Sequence, residues 1–335
     1  MTQFVARRVL QLMLVLLAVT FLAFSSLHLL GNPLVNIIGV VAEIDYCDDV
    51  AAGLREDSHS GANIAKGDCE LIAEAKAEYR LDEPVVKRYV LWLGDIAQGD
   101  LGRSFQNDLP VSDIVRQKMP KSLLLMVMAE IIALVVAIPM GIWAAYRAGR
   151  RIDRVTSIAS FGLLSIPNFA LGVILLQVFA FRWQLLPASF DDTSVFTRLH
   201  SLLLPATTLG VGIAATYQRL LRTDLLTTLQ EDFVHMARAK GMPDRHIMLR
   251  HSLRPSMFSL ITVFGINTGA LIGGSLVIER IYSIPGIGSE IVTAVVRDDF
   301  PVVLGAVVVI AVGFVLINFV VDLLYSWLDP RVRVS

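Results

Sequence analysis

The sequence predicts an all-α membrane protein that crosses the bilayer six times, and three observations carry this prediction. Hydrophobic residues make up 55% of the 335 residues and charged residues only 18%, whereas ordinary soluble domains carry about 25% charged residues. Six stretches approach the roughly 20 apolar residues that a helix needs to cross hydrocarbon. Four clusters of basic residues that flank these stretches all fall on one side of the resulting topology.

The six predicted spans differ in how clearly they are marked. In chain order they are Val9–Leu30, Ser122–Tyr146, Val155–Phe181, Leu199–Tyr217, Met257–Ile278 and Val302–Trp327. The fourth is the weakest because Pro205 and two glycines interrupt it, although neighbouring helices can satisfy the backbone groups that such residues free. The first, within residues 1–31, is predicted to be retained because its apolar run exceeds the roughly 7–15 residues of a signal-peptide core.

Lysine and arginine positions predict the orientation. They cluster before the first span, in the link between the second and third, in the link between the fourth and fifth, and after the sixth: Arg7, Arg8, Arg147, Arg150, Arg151, Arg154, Arg219, Arg222, Arg238, Lys240, Arg245, Arg250, Arg254, Arg331 and Arg333. With six spans, these places share one side, which the positive-inside rule assigns to the cytoplasm. We therefore expect a multi-pass protein of the cytoplasmic membrane with both termini inside, residues 331–335 forming a cytoplasmic tail.

One long segment, residues 32–117, lies on the opposite side between the first two spans. From residue 32 to residue 116 it has 16 acidic and eight basic residues, which fits an external position. Helical patterns before and after Pro84 predict a small, largely helical external subdomain. Cys47 and Cys69 both lie in this segment, where a disulfide is permitted; two separate thiols are the alternative.

A charged segment, Glu231–Pro255, interrupts the apolar chain on the predicted cytoplasmic side. Its first ten residues have a helical pattern that places Phe233, Met236 and Ala237 on one face. An amphipathic helix lying on the membrane is the alternative, but the acidic residues of the segment would be repelled by anionic lipid. The segment is therefore predicted to project from the membrane towards a partner protein.

The same segment contains the signals for a sharp corner. Gly241 suits the left-handed residue that ends a helix, and Pro243 suits the first position of the next. Arg250 and His251 are expected in the last turn of that second helix, where basic side chains favour the helix dipole. The sequence thus predicts two helices joined by a tight turn.

These residues resemble the EAA motif, the cytoplasmic coupling loop of ABC importer permeases. The segment has Glu231, then ARAKG at Ala237–Gly241, then Ile247-Met248-Leu249. It is most similar to the version of the motif found in dipeptide and oligopeptide permeases of the DppB/OppB type, in which the triplet reads ARAKG.

Three further blocks support the resemblance in the expected order. Arg80–Phe105 is similar to the external L-x-x-P and G-D-x-G-x-S segment of the family, Leu276–Val292 to its V-I-E-x-I-Y-x-x-P-G-I-G signature, and Val321–Arg333 to its C-terminus. The chain departs from the family around residues 41–73, a longer loop than usual that contains both cysteines. The resemblance implies a type I ABC importer permease architecture, with residues 118–330 as the core and residues 223–255 as the coupling loop.

The resemblance also implies a division of labour. Such a permease pairs with a second, homologous permease subunit, with two ABC ATPase subunits or one fused ATPase, and with an external solute-binding lipoprotein or periplasmic protein. Its cargo is a dipeptide or oligopeptide; nickel, glutathione or haem are the alternatives within the family. The sequence has no Gly-Lys dipeptide and hence no phosphate-binding loop, so ATP and magnesium are expected on the partner ATPases, with no cofactor, metal or nucleic acid on this chain.

Candidate site residues fall into two groups. The residues expected to couple to the ATPase are Glu231, Ala237, Ala239, Gly241 and Ile247. The candidates for the pathway or its gate are Glu130, Asn168, Asn267, Pro285, Gly286 and Gly288. Ionisable residues inside spans are functional candidates by default; besides Glu130 these are His28 and Asp322, and Glu130 is expected either to line a polar cavity or to pair with another subunit.

Two other classes of protein are weighed against this one. A secondary transporter needs ion-coupling residues at the midplane or inverted repeats, and the sequence offers one mid-span carboxylate and no visible repeat. A membrane-embedded enzyme is disfavoured because neither H-E-x-x-H nor G-x-S-x-G is present.

Overall fold

The computed structural model describes residues 2–30, 76, 80 and 83–328. Regular structure within these ranges is helical, apart from an isolated β-bridge between Arg103 and Pro110. The α-helices are α1 (Thr2–Leu30), α2 (Val85–Ala97), α3 (Val111–Tyr146), α4 (Arg151–Ser165), α5 (Asn168–Leu175), α6 (Val195–Thr228), α7 (Asp232–Ala239), α8 (Asp244–His246), α9 (Leu253–Gly274), α10 (Leu276–Ile281), α11 (Ile287–Val296) and α12 (Phe300–Leu328). Two π-helical segments follow α5 and α8, at Leu176–Arg182 and Ile247–Ser252.

Four helices contain a segment long and apolar enough to cross a membrane. They are Val9–Ser26 within α1, all of α3, all of α6, and Phe300–Val321 within α12. A bent pair, α4 with Asn168–Arg182, would supply a fifth if it is one span. α9 covers most of the predicted fifth span, and the total of six spans stays a prediction.

The predicted single helix over Val155–Phe181 is wrong. Its two halves meet at an angle of 101°, and the break falls at Ile166-Pro167. Ile166 has an extended backbone (φ −93°, ψ 121°), because a proline disfavours the helical conformation of the residue before it. Pro167 then stands at the start of α5, where its missing N–H costs no hydrogen bond.

The chain folds as two compact units. The larger one is built on residues 117–290 with the ends of α1 and α12. At its centre, Ala133 and Ala137 of α3 and Leu260 of α9 pack around Ala214 and Tyr217 of α6.

Glycines set the closest approaches between helices of the larger unit. A Cβ on Gly210 would lie 2.7 Å from the Ala129 carbonyl oxygen on α3, and one on Gly269 would lie 2.3 Å from the Phe314 ring on α12. Small residues at such contacts allow the van der Waals packing that holds membrane helices together.

The smaller unit comprises described residues from 13–116 together with 291–311. α2 begins directly after Pro84 and ends just before Gly99, as the sequence predicts. After it, Gly99 and Gly102 have positive φ (+88° and +84°), and the Asp100 carboxylate accepts a hydrogen bond from the Gly102 N–H at 2.8 Å. The predicted helix before Pro84, the insert at 41–73 and both cysteines lie outside the described residues.

The loop after α2 is held to the chain segment between α11 and α12. The Ser104 hydroxyl donates to the buried Asp299 carboxylate at 2.5 Å, and the Phe105 N–H donates to its other oxygen at 3.0 Å. The serine of the G-D-x-G-x-S block therefore has a structural partner within this unit.

Candidate functional site

The charged segment forms an elbow, defined here as residues 231–252. Glu231 precedes α7, and Lys240 ends it. Gly241 has φ +77°, the left-handed conformation that the sequence predicts for a glycine after a helix. Pro243 immediately precedes α8, so the predicted corner between two helices is confirmed.

The elbow has a small core of its own. Val234 and Ala237 of α7 pack against Ile247 from the following segment, with Leu229 and Met242 alongside. Of the three side chains that the helical pattern places on one face, Ala237 is buried, whereas Phe233 and Met236 are 43% and 60% exposed. The contact with Ile247 selects the residues at positions 234 and 237 as the core of the elbow.

The sequence predicts that the second helix of the elbow ends near His251, and this prediction is wrong. α8 continues through the π-helical segment Ile247–Ser252 directly into α9. Within that segment Met248 is buried against Leu221 and Leu225 of α6 and Ala145 of α3. The elbow is thus joined to α9 through the backbone and to α3 and α6 through packed side chains.

The coupling candidates divide by exposure. Ala237 and Ile247 lie in the core of the elbow, where they support its shape. Glu231, Ala239 and Gly241 are exposed. Two further exposed apolar side chains on the same small helix, Phe233 and Met236, were not among the coupling candidates.

A partly buried ion pair joins α4 to α6 in the same unit. The Arg222 guanidinium donates two hydrogen bonds to the Asp153 carboxylate, through Nε and through Nη2, the latter at 2.8 Å. The Gly149 N–H donates to the same carboxylate at 2.8 Å. A bidentate, largely buried pair of this kind fixes geometry more firmly than an exposed one.

Glu130 of α3 bonds to two other helices. Its side chain is 4% exposed; the Tyr217 hydroxyl of α6 donates to its carboxylate at 3.0 Å, and the Thr268 hydroxyl of α9 donates at 3.1 Å. Asn267, the residue before Thr268, also interacts with the Tyr217 hydroxyl. This arrangement favours a role in holding three helices together, which the sequence analysis did not consider.

The signature block folds around a second buried carboxylate. Glu279 of α10 is fully buried. One of its oxygens accepts from the Ser122 and Ser275 hydroxyls at 2.7 and 2.8 Å, and the other accepts from the Ser289 N–H at 2.8 Å. We call residues 275–289 the Glu279 turn.

The glycines of the turn leave room for that carboxylate. A Cβ on Gly286 would lie 2.4 Å from the Ser122 Oγ and 2.5 Å from a Glu279 carboxylate oxygen, and one on Gly288 would lie 3.0 Å from the same oxygen. The Ile287 N–H donates to the Ser122 Oγ at 2.9 Å. Pro285, Gly286 and Gly288 therefore belong to a closed, hydrogen-bonded turn.

Glu279 is the residue that sequence reasoning missed. It lies one residue beyond the predicted end of the fifth span, so the search for ionisable residues inside spans passed over it. Its place in a block with two closely spaced glycines was the available signal, because glycines often mark close approach to another group.

Comparison with known proteins identifies the family. Residues 137–334 match the family described as binding-protein-dependent transport system inner membrane component. The chain belongs to this family. It is similar to the oligopeptide transport system permease protein AppB of Bacillus subtilis (36% identical over 276 residues, 81% of this chain and 86% of the relative). It is also similar to the glutathione transport system permease protein GsiC of Escherichia coli K12 (30% identical over 334 residues, 99% of both chains).

The predicted resemblance is thereby confirmed. The chain is the membrane-embedded permease component of an ABC importer, and this family works together with a solute-binding protein and ATPase subunits. The elbow and the Glu279 turn both lie within the residues that match the family.

The remaining candidates of the permease are dispersed. Asn168 is exposed at the start of α5, and a Cβ on Gly212 would lie 3.0 Å from its Oδ1. The side chains of His28 and Asp322 lie outside the described residues, as do Cys47 and Cys69. Among the residues searched, no group of three or more His, Cys, Asp or Glu could hold a metal ion.

Proposed function

We propose that this permease carries peptides across the cytoplasmic membrane and that its elbow transmits the movement of the ATPase subunits to the spans. The relative that supports a peptide cargo is an oligopeptide permease. Glutathione is the second candidate because a glutathione permease matches nearly the whole chain. Specificity is expected to reside mainly in the external binding protein.

One observation supports the proposal that the elbow transmits movement: the elbow is joined to the spanning helices by packed side chains and by continuous backbone. Ile247 is in the core of the elbow, Met248 beside it packs against α3 and α6, and the same segment continues into α9. A displacement of α7 is therefore passed to α3 and α6 through packed contacts and to α9 through the backbone. Packed contacts of this kind shift between discrete arrangements more readily than they deform.

The proposed topology places the elbow on the cytoplasmic side of the membrane. We infer six spans, α9 supplying the fifth, with both termini and the elbow in the cytoplasm. Two ATPase subunits, or one fused ATPase, bind ATP and magnesium below a heterodimer of this chain and a homologous permease. The exposed residues Glu231, Phe233, Met236, Ala239 and Gly241 form the surface that the ATPase contacts. The Glu279 turn lies at the outer end of the bundle, near the mouth of the pathway.

A glycine comparison tests the coupling. We expect Gly241→Val to abolish ATP-dependent uptake in the reconstituted complex while the protein still inserts, because a branched side chain resists φ +77°. Gly241→Asn should retain much of the uptake, since asparagine tolerates the left-handed region. Gly99→Val is the matched control: Gly99 also follows a helix, α2, and has positive φ (+88°) with no atom within 4 Å.

The outcomes separate coupling from folding. If Gly99→Val keeps uptake and Gly241→Val loses both uptake and transport-stimulated ATP hydrolysis, the elbow transmits the movement. Normal uptake by Gly241→Val would overturn the proposal.

The cargo is tested separately. Uptake of a labelled dipeptide or pentapeptide by the complete complex should depend on ATP and not on an ion gradient. Excess unlabelled peptide should compete with it, and glutathione or nickel should not. Competition by glutathione alone would move the assignment to the second candidate, and dependence on an ion gradient would contradict the family mechanism.

A further inference from the structure

The short helix α2 contacts α1 at an unexpected depth. The Tyr89 hydroxyl of α2 donates to the Leu17 carbonyl oxygen at 2.9 Å and lies 2.8 Å from the Thr20 hydroxyl. Both partners are near the middle of Val9–Ser26, the candidate span in α1. Part of α2 is therefore at the level of the apolar stretch of α1.

Aromatic packing on the same side supports this depth. The Tyr89 ring lies 5.1 Å from Phe21 and 5.7 Å from Phe24, and Trp92 lies 5.2 Å from Phe24. Leu304 of α12 completes the cluster. The inner face of α2 thus rests on the apolar surface of a spanning helix.

The apolar sector of α2 is wider than its protein contact. Val86 and Val90 follow each other at helical spacing, adjoin the face of Tyr89 and Leu93, and are 64% and 60% exposed. The opposite side of the helix carries the ion pairs, with Leu91 between them at 37% exposure: Lys87 pairs with Glu83 at 2.6 Å and Asp95 with Arg80 at 3.1 Å. This is the pattern of a helix placed between an apolar and an aqueous medium.

We propose that α2 is an interfacial helix whose exposed flank, Val86 and Val90, contacts the acyl chains of the outer leaflet. The exposed apolar surface of α1 adjoins this flank of α2, which identifies lipid as the partner that covers both. Only 11% of the α1 window is buried, and Leu22, close to the Tyr89 contact, is 67% exposed. The acyl chains that cover this part of α1 therefore extend onto the adjoining flank of α2.

The length of α2 fits the proposal. Thirteen residues make a helix of about 20 Å, too short to cross a hydrocarbon core of about 30 Å. A helix that cannot span, yet contacts a spanning helix at depth, is accommodated in one leaflet with its ion pairs towards water. On this proposal residues 85–97 lie at the membrane surface, whereas the sequence predicts that they belong to an external subdomain.

Spin-label accessibility tests the proposal on the full importer in phospholipid vesicles. Val86→Cys and Val90→Cys would be labelled with a nitroxide in a Cys47→Ser/Cys69→Ser background that retains uptake. Lys87→Cys on the polar side is the matched control, and Leu22→Cys is the reference for a lipid-covered position. We expect labels at 86 and 90 to match the label at 22, with an oxygen-to-nickel-chelate accessibility ratio several-fold above that at 87.

Two results would overturn the proposal. Nickel-chelate accessibility at 86 and 90 equal to that at 87 would place the flank in water. Protection from both oxygen and the chelate would mean that a protein covers it.

A second measurement needs no cysteine change. Benzoylphenylalanine at Val90 in the native background should cross-link to radiolabelled phospholipid on irradiation, and the same probe at Lys87 should do so several-fold less. Cross-linking at Val90 to the solute-binding protein or to the second permease, with no lipid adduct, would contradict lipid contact.

Discussion

At the scale of single residues, Gly286 shows how the signature block depends on space. Its backbone runs so close to the Ser122 hydroxyl and the Glu279 carboxylate that a methyl group would meet both. Because Glu279 is fully buried and accepts three hydrogen bonds from this neighbourhood, displacing it would leave polar groups without partners. The buried Glu279 carboxylate explains why the block has glycines at positions 286 and 288, beside Pro285.

We therefore predict that Gly286→Ala destabilises the protein by about 1–3 kcal/mol, the usual cost of overpacking. Gly162→Ala is the control, because Gly162 lies within α4 with no atom within 4 Å. The measurement is thermal unfolding in detergent, followed by uptake in vesicles. A Gly286→Ala protein as stable as the control would show that the turn is looser than this packing requires.

Glu130 is the second residue whose role follows from its contacts. Replacement by leucine removes the acceptor of the buried Tyr217 hydroxyl, whereas Thr268 keeps its bond to the Phe264 carbonyl oxygen. We predict that Glu130→Leu costs about 1–3 kcal/mol, as expected for a buried donor left unsatisfied. Glu130→Gln, which keeps an acceptor, should cost less.

Measuring unfolding and uptake on both Glu130 variants distinguishes a structural role of Glu130 from a role in the transport pathway. If uptake follows stability, Glu130 serves to join α3, α6 and α9. Full stability of Glu130→Leu with loss of uptake would instead return Glu130 to the pathway.

At the scale of elements, the sequence predicted corners better than faces. Gly241 and Pro243 fixed the bend of the elbow, because each restricts its own backbone conformation. The buried face of α7 could not be predicted in the same way, since it depends on where Ile247 returns in space. The break at Ile166-Pro167 had a local signal, but the apolar run around it favoured a single span.

The elbow makes an element-scale prediction through Ile247. This side chain is fully buried in the elbow core, and Ile247→Ala is expected to cost about 2–5 kcal/mol locally. The elbow should then loosen while the spans stay folded, so that uptake and transport-stimulated ATP hydrolysis both fall.

Leu249→Ala serves as the matched control, since Leu249 is 45% exposed in the same segment. Simultaneous measurement of ATP hydrolysis and uptake checks the expectation. Equal uptake by the Ile247 and Leu249 variants would show that the elbow core is not required for coupling.

At the scale of the whole molecule, composition and basic-residue placement predicted the class, and the motif blocks predicted the family. The contacts between helices that Glu130 and Glu279 make could not be predicted, because Tyr217 and Thr268 are 87 and 138 residues from Glu130 in the chain, and Ser122 is 157 residues from Glu279. The proposed depth of α2 likewise depends on a distant contact, between Tyr89 and Leu17 of α1, which the sequence of α2 alone does not contain.

The central claim is that the elbow contacts the ATPase and passes on its movement. The most direct measurement places benzoylphenylalanine at Met236, the most exposed apolar side chain of α7, and irradiates the complete importer in membranes. We predict a cross-link to the ATPase subunit whose yield changes when a non-hydrolysable ATP analogue closes the ATPase pair. A cross-link only to lipid or to the external binding protein, with none to the ATPase in either state, would contradict the claim.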